Sequence, residues 1–128
     1  MSTLSDQSLQ ACNTTNQALS NNEIQQYLSG LDDWKLQTEN NIQQICKHFS
    51  FKNYTQAITF TNQIATLAEQ QNHHPKICIE WGKVSIGWWT HTVNGLFIND
   101  FIMAAKCDDI FIAPKNSTQN VDNDNTKN

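Results

Sequence analysis

Apolar residues recur along the chain at two spacings, three to four residues and two residues, and the places where one gives way to the other mark its elements. Ser20 and Glu23 have the S-x-x-E spacing of a capping box, so a helix is predicted from about Asn21. Ile24, Tyr27, Leu28 and Leu31 form its apolar stripe, and Gly30 is its expected stop. Trp34 and Leu36 then alternate with polar neighbours as a short strand, Glu39-Asn40-Asn41 makes a turn, and a second strand runs from Ile42 to Phe51. Asn53 is placed to cap a long helix over residues 54–71, with Tyr54, Ala57, Ile58, Thr61, Ile64, Ala65 and Ala68 as its core-facing stripe. Pro75 ends any remaining helicity, because the residue before a proline avoids the helical region. Ile77, Ile79 and Trp81 alternate as a third strand, Gly82-Lys83 suits a tight hairpin turn, and a fourth strand runs from Val84 to His91. Asn94-Gly95 closes it, and a last helix is predicted over about residues 97–109.

Strands joined by short turns pair antiparallel. The predicted fold is therefore α+β, a four-stranded antiparallel sheet with three helices on one face in the order α-β-β-α-β-β-α. Residues 20–113 form the expected folding unit. Residues 1–19 and 114–128 are polar and are expected to be disordered tails. Trp88 and Trp89 fall on opposite faces of the fourth strand, so the side away from the helices is expected to meet a ligand or another subunit.

Charge narrows the range of partners. The net charge is -4, and all 8 basic residues are Lys. Without the bidentate guanidinium of Arg, nucleic acid is not an expected ligand. Cys12, Cys46, Cys78 and Cys107 are widely spaced with no CxxC pair, which predicts reduced thiols in the cytoplasm. Neither a signal peptide nor a membrane span is predicted.

The chemistry concentrates in Glu69-Gln70-Gln71-Asn72-His73-His74-Pro75. Glu69 and His73 are four apart at the end of a predicted helix, within hydrogen-bonding reach on one face. A carboxylate there orients an imidazole and favours its protonated form, as a general acid requires. The plainer alternative is a histidine that only complements the helix C-terminus. Zinc is the rival chemistry, with His91 as a third ligand. Adjacent histidines on a helix diverge by roughly 100°, however, unlike an i, i+4 ligand pair. His48 is expected to be a surface residue.

AEQQNHHP (Ala68–Pro75), then Trp81, Thr90-His91, Gly95-Leu96 and Asp100, resemble the pattern of the pterin-4a-carbinolamine dehydratases. The resemblance spans residues 20–112 and includes Trp34, the phrase KHFSFKNY and the closing DFIMAAK. It implies a homodimer or homotetramer that removes water from 4a-hydroxytetrahydropterin, in tetrahydrobiopterin recycling for an aromatic amino-acid hydroxylase. It implies His73, His74 and His91 as the catalytic set, with Glu69, Trp34 and Asp100 supporting or binding substrate and no metal or cofactor. Some family members are also dimerisation partners of transcription regulators, which is the alternative implied role. Two residues depart from the pattern: Phe97 replaces a small hydroxylated helix cap, and Asp33 stands where Gly commonly precedes the Trp.

Overall fold

A computed structural model describes residues 4–13 and 16–121, with side chains described as far as Ile112. The elements follow the predicted order: α1 (Asn21–Leu28), β1 (Lys35–Glu39), β2 (Ile42–Ser50), α2 (Tyr54–Gln71), β3 (Lys76–Glu80), β4 (Lys83–Trp88) and α3 (Ile98–Val121). The strands form one antiparallel sheet in the spatial order β1-β2-β4-β3. Two hairpins thus meet along β2 and β4, where Ile45 pairs with Trp88 and Phe49 with Val84. Side chains alternate across a strand, so Ile45, Phe49, Val84, Ile86 and Trp88 share the face on which the helices pack. From the helices come Ile24, Ala57, Phe60, Ile64, Phe101, Met103 and Ala104. Burying aliphatic and aromatic side chains of this size stabilises a fold by ~1.5–3 kcal/mol each. Among the described residues no helix is long and apolar enough to cross a membrane.

Local chemistry accounts for the element ends. Ser20 and Glu23 form both halves of the capping box on α1, which stops at Ser29, one residue before Gly30. Asn53 caps α2 by accepting from the Gln56 N–H. The buried stripe of α2 is Ala57, Phe60, Ile64 and Ala68, whereas Tyr54 and Ala65 are exposed. Phe60 takes the inward position because its ring joins Phe49, Phe51 and Phe111.

Turns depart further from expectation. Glu80 pairs with Lys83, so the hairpin loop is Trp81-Gly82 rather than Gly82-Lys83, and Trp81 stands exposed at its tip. Gly82 serves close approach instead of a left-handed turn: Phe51 N–H donates to its carbonyl, and a Cβ there would lie 2.9 Å from the Phe51 carbonyl oxygen. β4 ends at Trp88, short of His91. Thr90 then bridges Gly95, and His91–Val93 form a 3-10 turn.

The N-terminal segment differs most from expectation. Leu4–Asp6 form a 3-10 turn, and Leu4, Leu9 and Leu19 pack against the core. Three leucines dispersed among polar residues raise mean hydropathy little, yet they suffice to dock an extended segment. At the other end, the backbone of α3 continues to Val121, past the predicted end near residue 109. Residues 1–3, 14–15 and 122–128 of the predicted tails lie outside the described residues.

Candidate active site

α2 stops at Gln71 because Asn72 enters the left-handed region at φ 52°, a conformation that Asn tolerates better than most residues. Its N–H bonds the carbonyls of Ala68 and Glu69, and the chain then leaves the helix axis. His73 and His74 therefore follow the helix cap, and the i, i+4 relation predicted for Glu69 and His73 does not hold. Glu69 instead pairs with His74 Nε2. That pair is exposed, His74 at 52% and Glu69 at 78% of side-chain surface.

His73 turns inward. Its Nε2 lies 2.7 Å from Asp100 Oδ1, with the side chains 13% and 0% exposed. A carboxylate only accepts, so Nε2 carries the proton and Nδ1 is the lone-pair nitrogen of the neutral ring. The imidazole is also stacked on Trp88, with centroids 5.5 Å apart and planes 7° from parallel. One face of the ring and one nitrogen are thereby fixed.

Asp100 is held just as closely. Its Oδ2 accepts from Thr90 Oγ1 at 2.8 Å and from the Phe97 N–H at 2.9 Å. Asp100 is the third residue of α3, so the second bond is half of a capping box with Asp in place of Glu. Phe97 lacks a capping hydroxyl, as predicted from its side chain, but its own N–H is satisfied. A buried carboxylate is tolerable only when hydrogen-bonded, and three donors meet that need here.

His91 is exposed and tilts against Trp89, with centroids 4.9 Å apart. It adjoins Thr90, so the Asp100 cluster ties its backbone to His73 even though the rings do not touch. No hydrogen bond or ring contact joins His73, His74 and His91 among the described residues. Trp34 lies apart from this cluster: its indole N–H donates to Asp108, which also pairs with Lys47. Asp33, before it, has φ 63°, which explains why a Gly would suit that position. His48 is exposed on the sheet and bonds Ser85 Oγ.

Sequence reasoning missed two contributors. Trp88 supplies the stacking surface, and Thr90 supports Asp100 from the same strand face two residues on. The alternation Trp88, Thr90 against Trp89, His91 was the available signal. Among the described residues, no group of three or more His, Cys, Asp or Glu side chains is arranged to hold a metal ion. The open face of the sheet carries a pocket whose lining includes Gln44, Cys46, His48, Lys76 and Cys78. At its edge a hydrogen bond from Gln44, then the Lys76 ammonium, holds the Glu39 carboxyl below its usual range.

Comparison with known proteins gives a consistent result. The family model described as Pterin 4 alpha carbinolamine dehydratase matches residues 17–110. A Vibrio cholerae serotype O1 protein with the provisional name pterin-4-alpha-carbinolamine dehydratase is 52% identical over 99 residues, covering 77% of this chain and 91% of that protein. A Marinobacter nauticus protein of the same provisional name is 43% identical over 111 residues, covering 87% of this chain and 100% of its own length. The crystal structure of a transcriptional coactivator/pterin dehydratase from Brucella melitensis superposes with a TM-score of 0.66 at 32% identity, covering 73% of this chain and 97% of that one.

Proposed function

The chain belongs to the pterin 4 alpha carbinolamine dehydratase family, and on that premise we propose that it removes water from 4a-hydroxytetrahydropterin to give the quinonoid dihydropterin. Breaking the C4a–O bond requires a proton on the departing oxygen. The N5–H proton must leave as the C4a=N5 double bond forms. No hydride moves and no covalent enzyme intermediate is needed, so imidazoles are sufficient.

The observation that carries this reading is the His73–Asp100 pair. Asp100 fixes the tautomer of His73 and stabilises its imidazolium, while the stack on Trp88 holds the ring plane. Nδ1 is then the nitrogen that exchanges a proton with substrate. His74, oriented by Glu69, is a second donor toward the oxygen. His91 serves as the base at N5 or as an anchor for the ring. In this reading the enzyme recycles tetrahydrobiopterin beside an aromatic amino-acid hydroxylase, as a cytoplasmic homo-oligomer. The four free cysteines accord with a reducing compartment.

The test is direct. Purified full-length protein added to a phenylalanine hydroxylase reaction should accelerate the decay of 4a-hydroxypterin absorbance, undiminished by prior EDTA treatment. Unchanged decay would overturn the reading, and loss of activity with EDTA restored by zinc would overturn its metal-free form. The coactivator half of the Brucella description supports a second reading, a protein-binding dimerisation module. That reading would stand if the chain bound a regulator while leaving the decay unchanged.

A further inference from the structure

An amphipathic helix ordinarily leaves one side to solvent. The first half of α3 does not: Phe101, Ile102, Met103, Ala104 and Ala105 are buried in succession. Sheet and helices cover one side, and residues 4–13 cover the other. Asn99, Ile102 and Lys106 stand at i, i+3 and i+7, hence on one face. Asn99 fastens the crossing segment at two points: its Oδ1 accepts from Gln10 N–H at 2.7 Å, and its Nδ2 donates to the Gln10 carbonyl at 2.8 Å. Lys106 Nζ donates to the Ser5 carbonyl at 2.8 Å. Ile102 between them is wholly buried.

This crossing lies at the turn that carries Asp100. Asn99 is its sequence neighbour, and Cys12 comes close enough that burial and then the Asp100 carboxylate push its thiol up. Farther along, Leu19 N–H donates to the Leu96 carbonyl, and Ala18 packs so closely on Gly95 that a Cβ there would lie 2.9 Å from Ala18 Cβ. The chain thus passes beside the middle of the Thr90–Asp100 connection as well as its Asn99 end.

We propose that residues 4–13 are a strap that holds Asp100, and through it His73, in the reactive arrangement, with Asn99 as the positioning residue that fastens it. The inference rests on the dehydratase reading, but its geometry can be tested apart from activity. Water kept from Asp100 keeps its carboxylate committed to His73, so loosening the strap should loosen the ring before it unfolds the domain.

The experiment uses the full chain with Asn99→Ala and, because Asn99 is buried, also Gln10→Pro, which removes a single strap N–H. Cys12 alkylation by iodoacetamide is measured by peptide mass spectrometry against the exposed Cys78. His73 ring nitrogens are followed by 15N NMR, and kcat and KM are measured for 4a-hydroxypterin. Cys12 labelling should rise about tenfold relative to Cys78, the scale set by one lost hydrogen bond. The His73 nitrogen shifts should move, and kcat should fall about tenfold with KM within about twofold, as expected for a loss felt in the transition state. A strap that opens in both variants while the His73 signals and kcat stay at wild-type values overturns the proposal, as does unchanged Cys12 labelling in both. A wild-type chain without activity overturns the dehydratase reading alone, since the His73 signals still report on the strap.

Discussion

Two histidines adjacent in sequence each hold a carboxylate, yet they occupy opposite surroundings. His73 and Asp100 are buried, stacked on Trp88 and supported by Thr90 and the start of α3. Glu69 and His74 lie in solvent, on the last turn of α2 and just beyond it. Water and salt weaken the exposed pair, whose contribution is ~0–1 kcal/mol. The buried pair has no such competitor, and breaking it strands groups that water cannot reach. The same functional groups therefore give a fixed element at one residue and an adaptable one at the next. A proton-transfer site can use both, one to hold its geometry and one to exchange freely with solvent.

The largest break in this contrast should come from Asp100→Ala. It leaves the Thr90 hydroxyl, the Phe97 N–H and His73 Nε2–H without their acceptor, so urea denaturation should show a loss of ~3–5 kcal/mol. Dehydration should slow by ~10²–10⁴-fold in the protein that still folds. Next in size, His73→Ala and His91→Ala should each slow the reaction by about 10²-fold. Melting should separate them: His73→Ala also removes a ring stacked on Trp88 and should lower Tm, while exposed His91→Ala should leave it nearly unchanged. Equal melting shifts in the two variants would contradict the buried-versus-exposed division. The smallest effect belongs to the exposed pair. A double-mutant cycle of Glu69→Gln and His74→Ala should give a coupling below ~1 kcal/mol that fades in 1 M salt. His48→Ala, on the far sheet face, should match wild type throughout.

The fold was largely readable because its elements rest on local signals. Ser20-x-x-Glu23, Asn53 and the two apolar periods each act within a few residues, and the structure retains them. The site was readable only in its residue types. Glu69 to His73 looked like a helical pair, but a single residue, Asn72, takes the left-handed conformation and redirects both imidazoles. No spacing rule for a continuous helix survives such a cap. Asp100 as the partner of His73 was similarly hidden, because their separation of 27 residues is closed only by the sheet. The N-terminal segment was misjudged for another reason: average polarity described it, whereas Leu4, Leu9 and the Gln10 backbone decide where it lies.

Asn72 has a further consequence, for how the chain can vary in length. Loops usually accept insertions and deletions. The connection from Asn72 to Lys76 sets the inward turn of His73 at one end and the alternation of β3 at the other. One residue more or fewer would either present a different side chain to Asp100 or send Ile77 and Ile79 to the opposite face of the sheet. The number of residues in this short stretch is therefore fixed, so homologous sequences should align through it without gaps.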